Sequence, residues 1–465
     1  MIVQQIRALA SRLSKYLAEF ADCFQTPETR QHLTEYVQGQ ISNLPRKSVE
    51  PIAHLADVPP RTLQEFLSFS QWDHDRLRDT VQRIVARDHS EPQAIGIIDE
   101  SGHPKQGKKT ACVHHQYCGA SGKLDNCVMG VHLCQASFDG KFRAMLDSEL
   151  FLPEKGWDDE KRRKEAGIPE SLVYRPKHLI ALGQLRRALD NGLHFGWITA
   201  DIWYGEKPAF VEGLEDLSLR FVLEIPKNLM GWVRRPADAD TKRGEVRDLV
   251  RWSRPMVQQE WVNFHIKDTG KGPMVWELRS APFWLKRGDD VAGPYWLIAA
   301  HDRLHPDKTK YFLSNASAGV PLEVLLHVAF SRWPVERCLE DEKSELGMSH
   351  FEVRKYDGVL RHLRITQVSH LFLARQTQRL AEKKSRGNDL PGAGCDQCPD
   401  RRSVVEQGRP EAAPSESRTN YSRHSTEKCR SKEITRQGHA QTTAEAWHPT
   451  EDGTMLHPGA ERVAL

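Results

Sequence analysis

Long apolar runs are missing from this 465-residue chain: no stretch of about 18 apolar residues occurs, which excludes a membrane-spanning helix. A strong charge of one sign is missing too. The 66 Lys and Arg against 63 Asp and Glu leave a net charge of +3, so any surface for a polyanion must be a local patch. Two patches exist, Lys161 to Lys164 and the group Arg354, Lys355, Arg361 and Arg364. Taken alone, such runs more often coat a solvated face. The nine cysteines are scattered, without the spacing of a small secreted domain, and Cys395 and Cys398 lack a second pair to complete a zinc site. Arg7, Arg12 and Lys15 interrupt the first twenty residues, which excludes an ordinary signal peptide; reduced thiols in the cytoplasm are expected.

What is present changes character along the chain. Residues 1–90 read as helical, with apolar positions at helical spacing. There Asp57-Val58-Pro59-Pro60 separates two short helices, either a helix-turn-helix for DNA or a helical hairpin packed on the main domain. From 91 to 225 strands and helices alternate. AIGIID is a strand ending on Asp99; GKKTACVHHQYCG and NCVMGVHLCQASF are two more, parted by the turn GASGKLDN. An amphipathic helix spans Arg175 to Asn191, and GWITADIWYG is a strand carrying Asp201 near its end. A helix from Glu206 to Leu217 and the strand RFVLEIPKN follow. Residues 226–320, rich in Trp (Trp232, Trp252, Trp261, Trp276, Trp284, Trp296), read as a β-rich insertion. Residues 321–384 read as two helices, Leu322 to Leu346 and about Asp357 to Glu382. Residues 385–465 contain one Tyr, one Trp and no Phe, too little apolar area to offset ordering entropy, so disorder is expected. The element order is that of an α/β fold, an RNase H-like mixed sheet with helices on its faces.

Three acids stand where such a sheet gathers its chemistry: Asp99, Asp201 and Glu336. The third lies in R-x3-E-x6-K, formed by Arg332, Glu336 and Lys343, and steps of four and seven bring these onto one helix face. Phosphodiester chemistry needs charge neutralised on attacking and leaving oxygens, which two divalent ions about 3.5–4 Å apart accomplish. Hard oxygen ligands favour Mg²⁺, with Mn²⁺ as a substitute. Arg332 and Lys343 would then grip phosphates. Each residue also has a plain reading. An Asp ending a strand is commonly a turn former or cap, Glu336 could pair along a solvent face, and Glu340 lies on the same stripe and could replace it. GHPKQGKK resembles a phosphate loop, but Lys109 holds its Ser/Thr position and a strand follows, which argues against an NTPase. His114 and His115 are adjacent and point to opposite faces of a strand, so they do not share a metal.

Three segments, IIDESGHPKQGKKTACVHHQYCGASGKLDNC, ADIWYGE and RWPVERCLEDEKSELGMSHFEVRKYDGVLRH, together resemble the insertion-sequence transposases of the DDE superfamily. The similar branch carries Y-x2-R-x3-E-x6-K and a β-rich insertion. The resemblance covers roughly residues 30–380. It implies an N-terminal DNA-binding region, Asp99, Asp201 and Glu336 as ligands of Mg²⁺ or Mn²⁺, and Arg332 and Lys343 as DNA contacts. It also implies metal-dependent cleavage at element ends and transfer of a 3′-hydroxyl into target DNA. Double-stranded DNA, both terminal inverted repeats and target, would be the partner, bound by a homodimer in the cytoplasm at the nucleoid. Alternatives are an RNase H-like nuclease without strand transfer, or a DNA-binding protein with a retired catalytic domain. Two departures stand out. The signature Tyr position holds Ala329, and the tail is unlike a basic helical C-terminus, which suggests a frameshift in the gene after about residue 380.

Overall fold

The computed structural model describes residues 3–269, 272–305 and 307–388. The expected disordered or frameshifted tail, with Cys395 and Cys398, lies outside the described residues except for positions 385–388, which continue the last helix. The six cysteines within them are buried and free, and no helix among them is long and apolar enough to cross a membrane.

Five helices come first: α1 Val3–Ala18, α2 Pro27–Ile41, α3 Val49–Leu55, α4 Pro60–Ser68 and α5 His74–Asp88. Side chains close their first turns: Thr26 accepts from the Thr29 amide and Asp73 from that of Arg76. Pro59-Pro60 does separate α3 from α4. Leu63, Phe66 and Leu67 of α4 are buried, so that face is spent on packing.

The sheet follows. Its first four strands are β1 Ile95–Pro104, β2 His114–Cys118, β3 Lys123–Ala136 and β4 Arg143–Leu150. Then come α6 Glu160–Glu165, α7 Lys177–Asp190, β5 Trp197–Ala200, α8 Ile202–Gly205, α9 Pro208–Asp216 and β6 Phe221–Ile225. β1 runs antiparallel to β3 and parallel to β5, β5 runs parallel to β6, and β3 pairs antiparallel with both β2 and β4. Strands β4-β3-β1-β5-β6 thus form an RNase H-like mixed sheet.

The third member of the antiparallel meander is therefore β4, which the sequence reading passed over; the expected second strand supplies only the short β2. RAMLDSEL carries Asp147 and Glu149 on a buried strand, which disguises it. Both carboxylates are met by Arg187 of α7, at 2.9 Å and 2.8 Å.

Residues 226–320 hold a two-residue ladder, β7 Met230–Gly231 with β8 Gly244–Glu245, then α10 Val246–Trp252 and α11 Arg254–Val257. Four strands follow: β9 Val262–Thr269, β10 Gly272–Arg287, β11 Asp290–Asp302 and β12 Thr309–Ser314. They continue the central sheet, because β12 pairs antiparallel with β6. Trp232 and Trp276 are buried, whereas Trp252 is exposed.

The last elements are α12 Leu322–Phe330, α13 Trp333–Ser344 and α14 Tyr356–Asn388. The single helix expected from Leu322 to Leu346 is broken at Ser331, just ahead of Pro334 at the start of α13. Ile98, Val131 and Leu133 face a core shared with α7 and α9, while Ile95, Ile97 and Val128 face α12 and α13. Asp99 shares the second face, by strand alternation.

α14 is gripped by the N-terminal helices. Gln40 Nε2 donates to Thr366 Oγ1 at 2.8 Å, and Tyr16 OH donates to the Val368 carbonyl at 2.9 Å. The His362 ring lies between Tyr36 OH at 2.9 Å and the Gly347 carbonyl at 3.0 Å. With Nε2–H donating to that carbonyl, Nδ1 accepts from Tyr36, so the ring is held neutral. Burial pushes its pKa from 6.5 down to about 4, against the pull of the Gly347 carbonyl. Between those values the unfolded chain binds the proton and the folded chain does not. Stability should therefore fall as pH drops from about 6.5 to 4, by up to about 1.4 kcal/mol per pH unit from this ring. His362→Gln should flatten that part of the profile in urea-unfolding midpoints measured against pH.

Candidate active site

Strand register builds the site. Ile97 lies level with Thr199 across the parallel β1–β5 pair, and Thr199 with Val222 across β5–β6. Two residues further on, Asp99, Asp201 and Glu224 stand in a row level with the carboxyl ends of β5 and β6; β1 does not end on Asp99 as expected but runs on to Pro104. This is where open α/β sheets place ligands. Neighbouring strands lie about 4.8 Å apart, so like charges are crowded here.

Each acid is held differently. Asp99 Oδ1 accepts from the Glu100 amide at 2.8 Å, and Oδ2 lies 3.4 Å from Arg332 Nη2. Burial pushes the Asp99 carboxyl above its usual range; Arg332 opposes this, and the charges of Asp201 and Glu336 raise it further. Asp201 caps α8, its Oδ1 accepting from the Trp203 and Tyr204 amides at 3.0 and 3.4 Å. The cap role considered for it is thus real, and its second oxygen takes no part in it. Glu336 projects from the first turn of α13 and is 63% exposed.

Arg332 ties the acids together. It keeps helical backbone angles at the N-cap of α13, so the four-residue step to Glu336 survives the helix break. Its Nη1 lies 3.7 Å from Glu224, and its Nη2 lies 3.9 Å from Glu336 besides meeting Asp99. Glu340, the alternative on the same stripe, turns away to Arg337 at 2.8 Å. Lys343 sits a further two turns along; burial lowers the pKa of its amine, against the pull of Cys118 and Asp99.

The DDE superfamily endonuclease family matches residues 19–273, more than half of the chain and the stretch holding Asp99 and Asp201. This chain belongs to that family. A protein described as a probable transposase for insertion sequence element IS701, from Microchaete diplosiphon, is 28% identical over 326 residues, 69% of this chain and 76% of its own. The NurA nuclease from Sulfolobus solfataricus overlaps 69% of this endonuclease and 94% of its own chain, at 9% identity and a TM-score of 0.25, too low to carry any argument.

The DDE endonuclease has two acidic residues at the site that motif reading missed. Both carboxylate oxygens of Glu224 accept from Lys310 Nζ, at 2.9 Å each, and Glu224 helps to hold Arg332. Its signal was a lone charge inside the apolar strand FVLEI. Glu100, next to Asp99, accepts from Lys177 Nζ and from Tyr204 OH at 3.3 Å, which ties β1 to α7 and α8. Ala329, at the signature Tyr position, is buried in α12.

Carboxylates are the donors that Mg²⁺ takes. Among the described residues no three Asp, Glu, His or Cys side chains come close enough to hold one ion. Mg²⁺ commonly uses one or two carboxylates and completes its shell with water and phosphate. The donor chemistry of Asp99, Asp201 and Glu336 fits such an ion, and the free second oxygen of Asp201 and the exposed carboxylate of Glu336 are open to it.

Proposed function

We propose that this DDE endonuclease is a transposase that cleaves DNA at the ends of a mobile element and joins the freed 3′-hydroxyl to target DNA. The observation that carries this reading is the level placement of Asp99 and Asp201, with Arg332 reaching from Glu336 to Asp99. The likeness to the probable IS701 transposase supports it. Asp99, Asp201 and Glu336 would hold Mg²⁺, or Mn²⁺ in its place, which when bound neutralises phosphate charge and activates the attacking oxygen. Arg332 and Lys343 orient the phosphates, Arg332 through its planar fork and Lys343 as a point charge. The reading entails a homodimer on DNA, since two element ends must meet, working in the cytoplasm on nucleoid DNA, with the N-terminal helices contributing to DNA binding.

Incubation with Mg²⁺ and DNA bearing the inverted repeats that flank the gene tests the reading. Cleavage at the repeat ends, followed by joined products carrying the 3′-end covalently in a second duplex, is expected. Cleavage without joining would reduce the protein to a nuclease; binding without cleavage would leave a DNA-binding protein.

A further inference from the structure

Next to the carboxylate row, the β2–β3 hairpin folds over the end of β1. A Cβ on Gly102 would stand 2.8 Å from Cys118 Sγ, so only glycine lets the hairpin come this close. Between hairpin, β1 and α13 lies a cavity of 410 Å³ whose lining includes Glu100, Ser101, Gln116, Tyr117, Lys177 and Lys343.

Three of these carry unmet hydrogen-bonding capacity. The Ser101 hydroxyl is buried without a partner. Gln116 Nε2 is buried without a hydrogen-bond partner, and its side chain lies beside the Cys127 thiol. The Lys343 ammonium, half-buried, makes no ion pair among the described residues. Lys177, by contrast, is matched by Glu100. Buried polar groups left unpaired in a folded protein call for a ligand or water to complete them. Here all three can donate, and the charge left over is positive. At the rim Tyr117 is 63% exposed, opposite the equally exposed Leu124 across the hairpin.

We propose that this cavity is a phosphate subsite, in which Ser101, Gln116 and Lys343 hold the oxygens of a phosphate group while Tyr117 covers the attached sugar or base. It rests on the transposase reading for its substrate, DNA, and adds residues that the R-x3-E-x6-K pattern does not reach. A phosphate next to the cleaved one would be anchored there, which fixes the register of the strand before the carboxylates. An exposed aromatic ring stacks on any base, so the subsite would be indifferent to sequence.

The test is equilibrium binding of the full chain to a fluorescein-labelled DNA duplex in EDTA, across a range of KCl concentrations. The Ser101→Ala, Gln116→Ala double variant should bind about tenfold more weakly, because hydrogen bonds to a charged group are lost. Its dependence of log K on log salt should stay parallel to wild type, since neither residue is charged. Lys343→Ala should reduce that slope by about one. Gln116→Ala and Tyr117→Ala, both outside the core, should each weaken binding in the same direction and guard against misfolding of the double variant. Wild-type affinity in all three hairpin and strand variants would overturn the subsite and leave a solvent-filled cavity. Failure of the wild type to bind DNA at all would instead overturn the transposase reading. Inorganic phosphate at matched ionic strength separates the two sources. If it competes better against wild type than against the double variant, the subsite accepts free phosphate. Equal competition together with the tenfold loss assigns it to the DNA backbone.

Discussion

Glutamine in place of Glu336 is expected to lower Mg²⁺-dependent DNA cleavage at least about a thousandfold, since losing groups that merely orient metal ligands already costs about 10–100-fold. Binding to the same DNA in EDTA should stay equal or tighten, because the substitution removes a negative charge from a phosphate-facing surface. Folding should be unaffected. Glu336 is mostly solvent-exposed, and its contact with Arg332 is long, at 3.9 Å; exposed pairs of this kind contribute about 0–1 kcal/mol. Glu340→Gln is the control, since Glu340 pairs with Arg337 and does not bear on Asp99. Its cleavage rate should remain near wild type. If Glu340→Gln were inactive and Glu336→Gln active, the third acid would be reassigned to Glu340. Asp99→Asn and Asp201→Asn should match the Glu336 result in rate. Asp201→Asn keeps an oxygen for the α8 cap, which separates loss of a ligand from loss of the helix start.

The parts of this architecture written in local pattern were legible in the sequence. The apolar run before Asp99, the strand before Asp201 and the strand FVLEI appear where periodicity placed them, and the proline pair does divide α3 from α4. What escaped depends on distant partners. β4 looks unlike a buried strand until Arg187 of α7 is set against Asp147 and Glu149. Glu224 looks like an interruption until strand register places it level with Asp201 and Lys310 folds over it. The stretch read as an insertion gave no hint in its composition that β12 would pair with β6 and extend the sheet. The helix break before α13 is written in Pro334, although the R-x3-E-x6-K spacing is that of one unbroken helix. The sequence offers Arg332 as a candidate phosphate contact, and only the geometry reveals that it spans Asp99, Glu224 and Glu336.

Replacing Arg187 with methionine should cost about 3–5 kcal/mol of stability, the usual result of removing one partner from a buried ion pair. Asp147 is fully buried, and its Oδ2 accepts from Arg187 Nε at 3.1 Å and Nη2 at 2.9 Å, while Oδ1 has no partner. Glu149 retains Arg175 when Arg187 is lost, so Asp147 bears most of the penalty. The lower urea midpoint of Arg187→Met should be largely restored by adding Asp147→Asn, which removes the stranded charge and keeps the shape. Glu149→Gln added instead should restore less. The effect reaches the carboxylate row through the sheet, since β4 pairs with β3, and β3 sets His132 opposite Asp99. Arg187→Met should therefore lose cleavage activity at lower urea concentrations than wild type while showing near-normal activity without urea. If its midpoint were unchanged, β4 would be held by apolar packing alone, through Leu146 and Leu150, and the charge pairing across α7 would be incidental to the fold.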